Sequence, residues 1–200
     1  MFFGRYPQCY PESDCAPLEW NVIGRKGDFV LLLSKYVIER MAFHNVESET
    51  VTWIGSSLRD WLNHDFLKYF TKEEIRRIPT RRHLTYSIFW PEDSYCLTTN
   101  RSYEKVFLLT DNDVARLAKK YKAAEATKYA RNKDEMGSYG AERWWLRNSY
   151  EEGNAAFVDE DGWVCHRGDV TSACYVGVRP ALWVNTGTLD DAYIETAIWT

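Results

Sequence analysis

The stretch YVGVRPALWVN, residues 175–185, carries an Arg-Pro step inside what otherwise reads as a buried strand. Proline has no backbone donor and belongs at a bulge or an edge. Arginine is always charged, and its planar fork of five N–H donors can satisfy several acceptors at once. Arg179 is therefore expected to be structural, pinning loops from beneath while Leu182 and Trp183 rejoin a sheet, with Trp144 and Trp183 as supporting core rings. A strand of this kind closes a domain, so the partner it closes against decides the fold.

That partner is sought at the other end of the chain. LEWNVIGRKGDFVLLLSKYVI, residues 18–38, has two β-rich runs around GRKGD, whose glycines and aspartate suit a turn, so the spacing predicts a hairpin with a central, nearly all-apolar second strand. The N-terminal hairpin and the final strand are expected to share one sheet. In SSLRDWLNHDFLKYF, Ser57 and Asp60 imitate a capping box, and Leu58, Trp61, Leu62, Phe66 and Tyr69 keep helical spacing. TKEEIRRI repeats the cap signature with Thr71 and Glu74 and is closed by Pro79. Residues 80–104, with Pro91 and scattered Ser, Thr and Asn, predict an irregular surface excursion.

KVFLLT reads as a strand ending at Thr110, which with Asp113 caps DNDVARLAKKY; the alanine-rich AAEATKYARNK reads as a second surface helix. RWWLRN, AAFVDEDGWVC and GVRPALWV read as short antiparallel strands. A hairpin first, helices in the middle and strands last make an α+β pattern, not an alternating βαβ one. With 200 residues the chain suits a single domain, residues 1–200, with residues 80–140 a loop and helix excursion.

Composition narrows the function classes. No segment approaches the roughly 18 apolar residues of a membrane span, and the start lacks the basic and apolar regions of a signal peptide, so the expected compartment is the cytoplasm. A net charge of −4 argues against a general nucleic-acid binder. Five cysteines, with no CxxC pair, indicate neither a disulfide framework nor a zinc knuckle, and buried free thiols are expected. The 16% aromatic content, with nine Trp and thirteen Tyr, suits a core filled from loops as well as regular elements, and exposed rings could stack on a ligand.

The ordered blocks FGRYPQ, LEWNVI, LLLSKY, SSLRDWLN, KVFLLT, WWLR, AAFVDEDG and GVRPALWV cover nearly the whole chain, and the series resembles a family of uncharacterised bacterial domains that often form modules of larger proteins. Through its WWLR…G…GVRPALW ending, that family is similar to C-type-lectin-like folds of the formylglycine-generating-enzyme branch, which includes variable proteins diversified by retroelements. The resemblance implies a C-type-lectin-like fold, with the chain ends in one sheet and residues 144–185 forming an ending whose second sheet and loops present a binding surface. Fold analogy does not settle function, so each activity rests on its own residues.

Calcium-dependent sugar binding needs six to eight oxygen ligands. The short carboxamide-proline loop and Trp-Asn-Asp strand of such lectins do not occur, and DEDG, residues 159–162, is more simply a hairpin turn than a metal loop. Formylglycine generation uses two cysteines with four residues between them to hold copper, whereas Cys165 and Cys174 have eight residues between them. His44, His64, His83 and His166 form no HExxH pair, and no GxSxG or GxxxxGK[ST] appears. No catalytic residue, metal or cofactor is assigned. An oxidase-like enzyme and a structural or regulatory module of a larger protein remain as alternatives.

Ligand display fits these residues best. RNSYEEGN and CHRGDVTSACY, polar and varied, lie between pattern-rich blocks as binding loops lie on a scaffold, although ordinary surface loops look the same. Every residue of CHRGDVTSACY belongs to the set that adenine-directed diversification of Asn-type codons can reach. Arg167-Gly168-Asp169 spells an integrin-type tripeptide, where Gly168 more simply supplies a turn. The expected face comprises Arg147, Asn148, Tyr150, Trp163, His166, Arg167 and Asp169 on a monomer, with a protein or glycan as ligand.

Overall fold

The computed structural model describes residues 1–9, 15–46, 51–89, 96–132, 140–150 and 153–187, the side chains of 86–89, 96–100 and 132 excepted. Twelve strands among them build two sheets around one apolar core. In the first, β1 (Phe2–Pro7), β2 (Cys15–Lys26), β3 (Phe29–Ser34), β12 (Ala181–Asn185) and β7 (Val106–Phe107) lie in that order, each pair antiparallel. β2 and β3 form the expected hairpin, turning at Gly27 (φ 55°), and the apolar β3 lies centrally between β2 and β12. The N-terminal hairpin and the last strand thus share a sheet.

The second sheet runs β10 (Val164–Val170), β9 (Asn154–Val158), β8 (Trp144–Tyr150), β11 (Gly177–Val178), β4 (Glu39–Arg40). Its edge of β8 opposite β9 holds β11 at Trp144 and, further on, β5 (Arg81–Phe89), which continues to β6 (Cys96–Glu104). The chain crosses from β11 to β12 at Arg179-Pro180, so the Arg-Pro step marks a strand leaving one sheet for the other. β4 follows β3 across the same corner: Ser34 N donates to Pro180 O (2.9 Å) and Ile38 N to Val178 O (3.0 Å). The architecture is α+β with mostly antiparallel strands.

Arg179 is buried at this corner. Its Nε donates to Ser34 O (2.9 Å) and its Nη1 to Tyr121 O (2.6 Å) and Lys122 O (3.4 Å), while the guanidinium sits 5.0 Å from the Trp144 ring centre. Burial pulls its pKa down to about 9, which leaves it protonated at neutral pH. Trp144 is fully buried and donates Nε1 to Lys122 O (3.0 Å); Trp183 is half-buried under Arg81.

Among the described residues four short helices flank the sheets: α1 (Ser57–Asn63), α2 (Lys72–Arg77), α3 (Asp111–Arg116) and α4 (Lys128–Asn132). Reciprocal capping boxes start α2 at Thr71 and Glu74 and α3 at Thr110 and Asp113, as the spacing indicates. α1 is capped one residue earlier than its spacing suggests: Ser56, not Ser57, accepts from Arg59 N, and Ser57 Oγ accepts from Asn45 N instead. The helix also stops at Asn63, and Phe66–Tyr69 forms a separate 3-10 turn.

Two expectations fail in ways that matter for the site. Residues 81–89 and 96–104 are not an irregular excursion but a paired antiparallel hairpin, from Arg81↔Glu104 to Phe89↔Cys96; Pro91 lies outside the described residues. The alanine-rich segment is helical only from Lys128. Before it, Glu125 and Ala126 make extended bridges to Ala141 and Val37, with Ala124, Ala126, Tyr129 and Ala130 buried, so pairing and burial outweigh helix propensity there. The thiols also differ from expectation: Cys9, Cys15 and Cys165 are half-buried and Cys174 is exposed, all four free.

Candidate recognition surface

β9 is the straight strand on which the candidate surface is built. Between Trp145↔Phe157 and Ser149↔Ala155, β8 carries two residues more than β9. Between Cys165↔Phe157 and Asp169↔Ala155, β10 does the same. Bulges on both sides of Ala156 therefore re-aim residues 146–148 and 166–168. Gly168 makes the second bulge possible. Its φ is +69°, and a Cβ there would lie 2.3 Å from Ala155 O, so neither the conformation nor the space admits a larger residue.

The bulges and the start of α3 bring four of the seven expected residues together. His166 Nδ1 lies 3.3 Å from Tyr150 Oη and 3.7 Å from Asp111 Oδ2. Asn148 Oδ1 accepts from Asp111 N (3.0 Å), and Arg147 Nη2 lies 3.6 Å from Asp113 Oδ2. Their exposure divides them. Arg147 and Asn148 are 6% and 3% exposed, so they hold α3 from inside and are corrected from surface contacts to supports. Tyr150 is half-buried, and His166 reaches solvent.

The remaining three lie along β10, which among the described residues pairs only with β9 and forms one end of the sheet. Residues 164–170 are thus an edge strand, where the sequence suggested a loop. Trp163, the one exposed tryptophan among the described residues at 73%, stands at the start of this strand. Its backbone is fixed by the turn before it: Asp159 Oδ1 accepts from Asp161 N (3.0 Å) and Trp163 N (2.8 Å), and Gly162 takes φ +86°. The acidic DEDG segment is therefore a hairpin turn whose first carboxylate is spent on backbone donors. Arg143 braces its flank through Glu160 (2.9 Å).

Arg167 is exposed on the bulge, and Asp169 is half-buried, accepting from Tyr175 Oη at 2.6 Å. That hydrogen bond, ahead of partial burial, raises the Tyr175 phenol above its usual range. Tyr175 and Val170 are each 50% exposed. Sequence reasoning passed over both, because the tie between Asp169 and Tyr175 exists only once residues 171–174 turn back, with Ala173 N donating to Val170 O (2.9 Å). The two halves of the surface are thus a polar cluster of His166, Tyr150 and Asp111, and a strand edge carrying Trp163, Arg167, Val170 and Tyr175. Among the described residues no three His, Cys, Asp or Glu side chains form a group able to hold a metal ion. Nor is any helix among them long and apolar enough to cross a membrane.

These features define a two-sheet α+β domain with an aromatic, bulged edge strand. Residues 27–186 match the family described as a domain of unknown function (DUF6273), and since they make up most of the chain, the protein belongs to that family. No curated protein and no solved structure matches the chain.

Proposed function

We propose that the protein is a non-catalytic recognition module, a C-type-lectin-like scaffold that binds a protein or glycan with the β10 edge and its flanking turns. The observation that carries this reading is Trp163, 73% exposed on a turn whose backbone Asp159 holds in place. A large ring in water is unfavourable for the free molecule, and rigid rings supply contact area at low entropic cost when a ligand covers them. His166 and Arg167 supply polar and charged groups beside it. The scaffold reading is supported by the first and last described strands sharing a sheet, while the second sheet carries the surface.

The same surface suits diversification by a retroelement. Of residues 165–175, His166, Arg167, Val170, Cys174 and Tyr175 are exposed, so substitutions there would alter contacts more than the core. A near-copy of this coding segment downstream of the gene, differing at adenines, is the expected genomic signature. An intact coding region with no such copy would reduce the reading to display of one fixed ligand.

The direct test is a triple variant, Trp163→Ala, His166→Ala and Arg167→Ala, compared with the wild type on a glycan array and in capture from the native host. Loss of the captured ligand with the melting temperature held within about 2 °C supports the reading, because exposed positions change stability little. Retention of the ligand by the triple variant refutes it.

A further inference from the structure

We propose a second, internal site that takes a small oxyanion, a carboxylate or phosphate group, between the β5–β6 hairpin and β8. It goes beyond the edge-strand reading and involves none of the three residues tested there.

The inward side of β5 is polar. Arg81, His83 and Thr85 alternate toward the interior while Arg82 and Leu84 face out. β5 meets β8 in parallel at Ile88↔Tyr150, and three residues back along both strands stand Thr85 and Arg147. Phe107 links two of them, with the His83 ring 4.0 Å from its centre and the Arg147 guanidinium 5.5 Å away. Among the described residues, four buried polar atoms here have no hydrogen-bond partner, His83 Nε2, Thr85 Oγ1, and Arg147 Nε and Nη1; Arg81 Nε is likewise unpaired, on a guanidinium that lies over the Phe29 and Trp183 rings. His83, Thr85 and Arg147 are each more than nine-tenths buried. Native proteins leave few buried polar groups unpaired, and a concentration of them calls for an ion or water that pairs them.

The charge balance selects an anion. Glu104, on the neighbouring strand, is already engaged by Trp53 Nε1 (2.7 Å), Ser102 Oγ (3.0 Å) and Arg59 Nε (2.6 Å). Asp113 touches only Arg147 Nη2, at 3.6 Å, and spends the same oxygen on Thr110 N and Oγ1. Two Arg147 nitrogens therefore keep unpaired donors, beside a threonine hydroxyl and an imidazole nitrogen that can also donate. Burial, and after it the charges of Arg147 and Arg81, holds the His83 pKa down at about 3, so this ring adds a neutral donor and not a second buried charge. Guanidinium N–H groups with a hydroxyl beside them match the oxygens of a carboxylate or phosphate. Asp113, 40% exposed at its side chain, marks the solvent end of the cluster.

The test uses the full chain, dialysed into a chloride-only buffer and titrated separately with sodium phosphate and sodium acetate at constant ionic strength. A ligand that binds only the folded state raises the melting temperature in proportion to the logarithm of its concentration once past its dissociation constant, by about 5 °C or more at a hundredfold excess. The expected result is such a rise with at least one of the two anions, and the responding anion identifies the group. The rise is expected to vanish in Arg147→Met and to need a several-fold higher anion concentration in Thr85→Val, a near-isosteric change that keeps the fold testable if the methionine variant does not fold. No rise with either anion beyond that given by chloride at the same ionic strength, or an unchanged titration in Thr85→Val and in a folded Arg147→Met, overturns the proposal.

Discussion

Replacing Arg179 by lysine keeps the positive charge and removes the fork. In the wild type two nitrogens serve two different segments: Nε holds Ser34 O on β3, and Nη1 holds Tyr121 O and Lys122 O beyond α3. A single ammonium on a four-carbon stem cannot take both positions, so at least one buried carbonyl loses a charged donor. Such a bond contributes about 1.5–3 kcal/mol, and the carbonyl left behind is sealed from water. The guanidinium's contact with the Trp144 ring, at 5.0 Å, is lost as well. The expected cost is about 3 kcal/mol, and Arg179→Met, which takes the guanidinium donor from Ser34 O and Tyr121 O together, should cost more. For a chain of this size 1 kcal/mol corresponds to about 2–4 °C, so the lysine variant should melt about 6–12 °C lower in a calorimetric or fluorescence scan. A lysine variant that melts within 2 °C of the wild type refutes the structural assignment, most clearly if ligand capture is lost at the same time.

Four further outcomes follow from particular contacts. His83 is buried and held at about 3 against an ordinary 6.5, so the unfolded chain takes up a proton as pH falls and the native one does not. Its contribution is therefore intact above pH 6.5 and declines by about 1.4 kcal/mol per unit down to about pH 3; a urea midpoint measured at pH 7 and 4.5 should fall more steeply in the wild type than in His83→Gln, and equal slopes would contradict the burial. Gly168→Ala should cost 2 kcal/mol or more and raise amide exchange along β10, because of the clash at Ala155 O; a neutral substitution would mean that the bulge is not fixed. Thr110→Ala should cost about 1 kcal/mol in a urea titration by unpairing the α3 cap. Tyr175→Phe should bring no more than about 1 kcal/mol of loss, since its bond to Asp169 is solvent-facing, yet weaken ligand capture if the turn is part of the recognition face.

The hairpin, the closing strand and two of the helix caps were legible because each is written locally. β3 is apolar and flanked by turn residues; Thr71 and Thr110 stand three positions before an acid. The helix spacing from Leu58 to Tyr69 was misleading for a physical reason. Leu58, Leu62 and Phe66 are indeed fully buried, but the chain satisfies that burial with a short helix and a separate 3-10 turn. Burial was satisfied without continuity. For the candidate surface, composition pointed to a segment but not to its form. Nothing in CHRGDVTSACY announces two extra residues opposite Ala156, because a bulge is defined by the register of its partner strand.

The β5–β6 hairpin was missed because its alternation is inverted. A half-buried strand is recognised by apolar residues on every second position. Here the inward positions are Arg81, His83, Thr85, Ser102 and Glu104, while Leu84 and Tyr103 face solvent. Read for hydrophobicity, such a segment has no core face and looks like a loop. The register Arg81↔Glu104 and His83↔Ser102 nevertheless holds it as a strand pair, and Glu104 is anchored to Trp53 and Arg59 on another part of the chain. Sequence rules tend to fail where a structure departs from its own most stable choice, and such departures concentrate at functional sites. A wholly apolar inward face would have packed against Phe107 without leaving buried donors unpaired. The polar face beside Arg147 is costly unless something occupies it, which makes the segment least legible as structure the strongest argument for an internal ligand.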